Sequence, residues 1–279
     1  MSRTVPTRRI SLEASFEDVP RRFARDDDLI GSHLTAAFSA VFPDGEDFFV
    51  RTVRHYRDRI TDPELRRQVA GFIGQESTHG REHRAFNDHL ARLGYPTRRI
   101  ERIVRTTLRA HERVLSAEAN LAVTVALEHF TATIAEFVLT DEEFRAAAGH
   151  PAVVDLLVWH ALEESEHKAV AYDVFQHVCG DERIRVRAMR RVTVTFIASV
   201  LFRTVLSLLR DPAAYNPARL GRSIFALRHS PYLSGQVVAR IRAYFAPGFH
   251  PHGVESDALL ETWREELFGP AGKLAASLR

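Results

Sequence analysis

Two stretches of this chain, FIGQESTHGREH and WHALEESEHK, each place a glutamate three residues ahead of a histidine: Glu76 with His79, and Glu164 with His167. On an α-helix that spacing puts both side chains on one face, within about 60° of each other. One such pair is ordinary on a solvated helix. Two pairs call for a common cause, and a bundle of helices carrying a di-metal carboxylate site supplies one, because it needs two Glu-x-x-His helices and one inward glutamate from each of two others.

The two further glutamates are present. Glu46 lies beside Phe48 and Phe49, and Glu128 lies in a run from Leu121 to Ala135 that is otherwise nearly free of charge. A carboxylate in such a run is expensive to bury unless it is paired or bound to a cation. The spacings are similar, 76 − 46 = 30 and 164 − 128 = 36, so a Glu helix precedes a Glu-x-x-His helix twice. The candidate metal ligands are therefore Glu46, Glu76, His79, Glu128, Glu164 and His167. Four carboxylates nearly balance two divalent cations, two imidazoles add one nitrogen ligand each, and positions stay open for water, O2 or substrate.

His83 and His160 share the faces of these ligands, as extra ligands, as partners behind them, or as hydrogen-bonded core histidines. Gln75, Glu82, Glu163 and Glu166 point about 100° or more away and read as rim or surface groups. A zinc-protease reading of His79 and His83 fails, because Gly80 stands where H-E-x-x-H requires glutamate.

The rest of the chain reads as all-α. A first helix begins near Asp28, is interrupted at FPDGED and continues through FFVRTVRHYRDRI. A second starts at a Thr61 or Asp62 cap with Pro63 in its first turn and ends at Gly94. A long, partly helical crossover over 97–115 leads to a third helix capped by Ser116, and Pro151 opens a fourth that closes at Gly180. This predicts a charged, poorly ordered arm over 1–27, a four-helix bundle with one long crossover over 28–180, and a helical extension over 181–279 packed on the bundle, with helical stretches at 217–246 and 255–268.

Composition narrows the function classes. The single Cys179 rules out an internal disulfide and a redox dithiol, and a reducing, cytoplasmic location fits. The net charge is +2 and the basic residues are almost all scattered arginines, with lysine only at 168 and 273, which speaks against nucleic-acid binding. GFIGQE lacks the spacing of a nucleotide loop, so an electron donor, if one is used, is a separate partner. The stretch 192–209 is long and apolar but contains Arg203 and is flanked by arginines; it reads as a buried or dimer-forming helix before an interfacial membrane contact, and least as a span.

With FPDGEDFFVRTVR, FIGQESTHGREHRAFN, ALEHFTA, WHALEESEHKAVAYDVFQ and FAPGFHPHG, residues 28–268 resemble the bacterial family labelled predicted metal-dependent hydrolases, which are similar to ferritin-like di-metal proteins. The resemblance implies a ferritin-like bundle and metal-dependent chemistry. The ligand set itself favours iron, with manganese or zinc as alternatives, and O2-dependent oxidation of a small, largely apolar substrate. Two-metal hydrolysis of an ester, amide or phosphate and non-catalytic metal binding are the alternatives.

Overall fold

The computed structural model describes residues 5–229, 234–253 and 257–279, and these form an all-α protein whose sole β feature is an isolated antiparallel bridge between Ile10 and Leu278. Residues 1–4 of the expected arm, 230–233 of the expected 217–246 stretch, and 255–256 of the expected 255–268 helix lie outside the described residues.

Local chemistry sets the helix boundaries. Helices α1 (Leu29–Ser39) and α2 (Phe42–Arg54) are separated at a short corner before Pro43. Helix α3 (Pro63–Arg92) is capped by Asp62, whose carboxylate accepts from the Glu64 amide at 2.8 Å, and it stops ahead of Gly94, which takes φ +95°. The crossover is a full helix, α4 (Thr97–Val114). Helix α5 (Ala117–Thr140) begins at the Ser116 cap, and a short α6 (Glu142–Ala146) turns the chain.

The expected fourth helix is two helices. Helix α7 (Pro151–His167) starts on the His150 side chain and ends at the last residue of the second Glu-x-x-His pair; after a turn at Lys168–Ala169, α8 (Val170–Val178) continues to Gly180. Then come α9 (Glu182–Leu208), α10 (Pro217–Ala226), α11 (Gly235–Ala243) and α12 (Asp257–Phe268).

Helix α2 packs on α3, α5 packs on α7 and α8, and contacts of α2 with α5 and of α3 with α7 and α8 complete a ring. Two apolar cores fill it from opposite ends. One contains Phe86, Leu156 and Trp159, the other Phe48, Phe72, Val125 and Phe175. On each of α3, α5 and α7–α8 the two cores are separated by the inward polar residues, so the site lies at the middle of the helices.

The N-terminal segment differs from the expected loose arm. Ile10, Leu12, Phe16, Val19 and Phe23 are buried, most of them against Phe86 and its neighbours. Val5 and Thr7 lie so close to α3 that a Cβ at Gly71 or Gly74 would overlap them. Its backbone also ties to the C-terminus, with Ser11 N to Ser277 O at 2.9 Å. Leu12, Phe16, Val19 and Phe23 are spaced 4, 3 and 4, as on one helix face, yet only Glu13–Phe16 forms a short helical turn; the segment reads as an arm because of its many charges, and its apolar residues are buried by other elements rather than by a helix of their own.

Helix α9, expected to be buried or dimer-forming, is only partly buried within one chain. In its most apolar window 22 % of residues are buried, against 67 % in α5. Met189, Val192 and Val200 face inward, while Val194, Leu201, Phe202 and Val205 are exposed. A buried helix does not describe it, because one stripe is enough to cover α5 and α1, and the apolar run extends round the other side.

Candidate metal centre

All eight residues named from spacing are in the interior, and the most accessible of them, His160, is 4 % exposed. Helix α2 supplies Glu46, α5 supplies Glu128, α3 supplies Glu76, His79 and His83, and α7 supplies His160, Glu164 and His167. His167 Nε2 lies 3.0 Å from Glu76 Oε1, 3.6 Å from Glu128 Oε2 and 3.6 Å from Glu164 Oε2. His79 Nδ1 is 3.8 Å from Glu76 Oε1, and His160 Nε2 is 3.7 Å from Glu46 Oε1.

The unmet hydrogen-bonding capacity is concentrated here. Both carboxylate oxygens of Glu46, Glu76 and Glu128, together with His79 Nδ1 and His167 Nε2, have no hydrogen-bond partner among the described residues. The 3.0 Å approach of His167 to Glu76 lacks the alignment of a hydrogen bond. Each orphaned buried group costs on the order of 1–3 kcal/mol. A chain whose other buried carboxylates are hydrogen-bonded has left six oxygens and two nitrogens turned toward one volume. Their donor chemistry fits divalent cations of the iron, manganese and zinc type.

The opposite nitrogen of each ring is held. His79 Nε2 meets Glu163 Oε2 at 3.0 Å, and His167 Nδ1 meets Gln75 Oε1 at 2.8 Å, so each imidazole is anchored from behind with its other nitrogen facing the centre. Four three-residue groups have ligand atoms within 4.8 Å of one another: Glu76–Glu128–His167, Glu46–Glu76–His79, His79–His160–Glu164 and Glu46–His83–His160. Glu76 is common to the first two and stands between two potential positions.

A directed chain of hydrogen bonds settles how His160 faces the centre. Asn87 gives its two amide hydrogens to the Ser39 carbonyl and to Glu101, which leaves its oxygen to accept from Ser39 Oγ at 2.7 Å. Ser39 Oγ then accepts from His83 Nδ1 at 2.9 Å, and His83 Nε2 accepts from His160 Nδ1 at 2.8 Å. Neutral His160 accordingly carries a lone pair on Nε2, the atom 2.9 Å from Glu164 Oε1. Two acceptors face each other there unless a proton or a cation lies between them. His83 stands one step farther back.

Electrostatics in the metal-free protein follow from the crowding. Burial, reinforced by Glu76 and Glu164, holds Glu46 well above the usual carboxylate range, and burial with Glu164 and Glu76 does the same to Glu128. Glu76 is raised by burial against the pull of His167. Burial also works to raise Glu164, but the proton that lies between its Oε1 and His160 Nε2 in the metal-free protein, together with His167, outweighs it and holds that carboxyl well below its ordinary value. Burial works to lower His167, yet Glu164 and Glu76 hold it well above. Burial and His160 push His79 and His83 well down. In the metal-free centre Glu164 and His167 thus favour their charged forms, and Glu46, Glu76 and Glu128 hold a proton more tightly than an ordinary carboxyl does.

Gln75, Glu82, Glu163 and Glu166, expected at the rim, are all buried. The helical angles were right, but both flanks of α3 and α7 are covered. Arg8 of the N-terminal segment donates to Glu163 at 3.1 Å and to both oxygens of Glu166 at 2.7 and 2.8 Å. Glu166 also accepts from Gln75 at 2.9 Å and from Arg264 of α12 at 2.7 Å, and the Leu12 amide donates to Glu82 at 2.7 Å. Burial pushes the Glu163 carboxyl up to about 8, with Arg8 opposing. The one signal for this layer was the density of glutamates around His167 in ALEESEH. Replacing Glu163 by Gln is expected to weaken metal binding by roughly 10–100-fold while leaving the fold intact, as read by competition with a chromophoric chelator.

A cavity of about 920 Å³ opens between α2, α4, α5 and α9 and reaches the centre at Glu46 and Thr131. Thr131 donates to Glu164 Oε2 at 2.7 Å. Most of the lining is apolar, with Phe49, Leu108, Val123, Leu127 and Phe196 prominent.

A family model described as predicted metal-dependent hydrolase matches residues 6–255. No curated protein and no solved structure matches the chain.

Proposed function

Because this chain belongs to the family of predicted metal-dependent hydrolases, we propose that its interior cage holds two divalent cations and serves to hydrolyse an ester, amide or phosphate. The observation that carries this reading is the set of orphaned carboxylate oxygens and imidazole nitrogens converging from α2, α3, α5 and α7. In this reading the helices form a ferritin-like four-helix bundle in which α7 and α8 together act as the fourth rod.

Glu128, Glu164 and His167 would hold one ion, Glu46 and His79 the other, with Glu76 between them. Bound there, the pair would lower the pKa of a water molecule and polarise the bond to be cut. The lone pair of His160 Nε2 makes it a seventh ligand or the acceptor of a proton beside Glu46, and His83 and Ser39 fix its ring. Glu163 and Gln75 keep His79 and His167 turned inward, with Arg8 and Arg264 neutralising the acidic layer behind them. Iron, manganese and zinc all suit the donors.

O2-dependent oxidation, expected first from the sequence, is now the second reading. The carboxylate-rich donor set beside an apolar cavity favours it, whereas the family match favours hydrolysis. The experiment loads full-length protein with Zn(II), Mn(II) or Fe(II) without oxygen, counts ions per chain, and follows p-nitrophenyl esters. Two ions and oxygen-independent turnover are expected. Turnover only after air reaches the Fe(II) protein, with a change in its visible spectrum, would move the assignment to oxidation. Metal uptake without either activity would leave a metal-binding protein.

A further inference from the structure

The same cavity is lined by three arginines that the metal centre does not use: Arg187 and Arg191 on α9 are exposed to solvent, and Arg203 is withdrawn from it. Arg203 on α9 lines it, is half-buried, and has no hydrogen bond or ion pair with any described residue; burial depresses its pKa and no acid offsets this. A guanidinium withdrawn from water without a partner is costly, and an anionic ligand is the natural compensation. Arg203 lies on the metal-centre half, two helical turns beyond Phe196, whose ring meets Phe38 and Phe130. Away from it the cavity continues between α5 and α9 past Leu127, Val123 and Ala119 to Ser116, about 22 Å of helix from Thr131. Small side chains keep the passage open: a Cβ built on Gly45, next to Glu46, meets nothing within 4 Å.

We propose that this cavity binds a long-chain amphiphile, with one acyl chain lying along α5 and α9 and an anionic head meeting Arg203. The length and apolar lining select the chain, and the unpartnered guanidinium selects the head. The placement of the head-proximal bond beside Glu46 rests on the hydrolase reading; the binding of the chain does not. On that reading an anionic acyl ester is cut at its acyl carbon–oxygen bond, water's hydroxyl joining the acyl carbon and its proton leaving with the alcohol.

The experiment titrates full-length protein with a dansyl-labelled undecanoic acid and displaces it with saturated fatty acids of increasing length and with the matching alcohols. Affinity is expected to rise with chain length and to favour acid over alcohol. Ala119→Trp, in the distal half and away from the metal residues, is expected to weaken long chains at least tenfold and spare short ones. Arg203→Gln is expected to weaken the acids at least tenfold without affecting the alcohols, with partial recovery in Arg203→Lys. Chain-length-independent binding, equal affinity for acid and alcohol, or indifference to Ala119→Trp would overturn the proposal. Tight chain binding without metal-dependent ester turnover would instead sink the hydrolase reading alone, and turnover of short esters with no chain binding would do the reverse.

Discussion

Replacing Glu76 by Gln is expected to leave no more than one metal ion per chain and to abolish metal-dependent turnover. Glu76 belongs to two of the four ligand groups, its Oε1 lies 3.0 Å from His167 Nε2 and 3.8 Å from His79 Nδ1, and neither of its oxygens has a hydrogen-bond partner among the described residues. An amide of the same shape brings a nitrogen that cannot ligate, and it removes the negative charge between the two proposed cations. The loss of affinity should therefore exceed the roughly 10–100-fold expected from Glu163→Gln. Glu82→Gln is the control. Glu82 is equally buried on the same helix, but it accepts from the Leu12 amide and from Arg81, and its replacement should keep both ions. Metal analysis of the three proteins after identical loading decides the matter; two ions in the Glu76→Gln protein would remove Glu76 from the cage.

Glu128→Gln is expected to change stability in opposite directions with and without metal. In the metal-free protein, burial beside Glu164 and Glu76 raises the Glu128 pKa well above its unfolded value. The folded state then binds a proton that the unfolded state releases. The associated stability is fully present below the unfolded pKa, near 4.3, and is lost as pH rises toward the folded pKa, at about 1.4 kcal/mol per pH unit. Glutamine has no proton to lose. The metal-free variant should thus melt higher than the parent at about pH 8, and the gap should close toward about pH 5. With metal bound the order reverses, because a ligand is missing and metal binding stabilises the parent by mass action. The same protons explain a second expectation: Glu46, Glu76 and Glu128 must release them on loading, so apparent metal affinity rises with pH. Melting curves in chelator and in saturating Mn(II) provide the check. A difference of the same sign in both would mean that Glu128 does not ligate.

Much of this arrangement could be read from local chemistry. The Asp62–Pro63 and His150–Pro151 starts, the Ser116 cap and the stops at Gly94 and Gly180 are short-range features, and they mark helix ends without reference to the fold. The three-residue spacing of Glu76–His79 and Glu164–His167 needs only helical geometry to put each pair on one face. Glu128 was legible because a carboxylate in an apolar run demands a partner, and Glu46 because it stands beside Phe48 and Phe49 ahead of the first Glu-x-x-His helix, as Glu128 stands ahead of the second. Where α7 breaks was not legible: nothing in HKAVAY is a poor helix former strong enough to announce the turn at Lys168–Ala169.

What this sequence determined by itself was its helical periodicity, the capped helix starts, the glycine stops and the ligand-bearing faces of α3 and α7, because these depend on neighbours a few residues away. Only the tertiary structure decided that the outward glutamates 163 and 166 are buried beneath Arg8 and Arg264, that Ile10 and Phe16 belong to the core, that α9 keeps an apolar side exposed, and that a largely apolar cavity reaches Glu46. Each of those depends on segments far apart in the chain meeting at one place, and burial is a property of what covers a residue rather than of the residue's own helix.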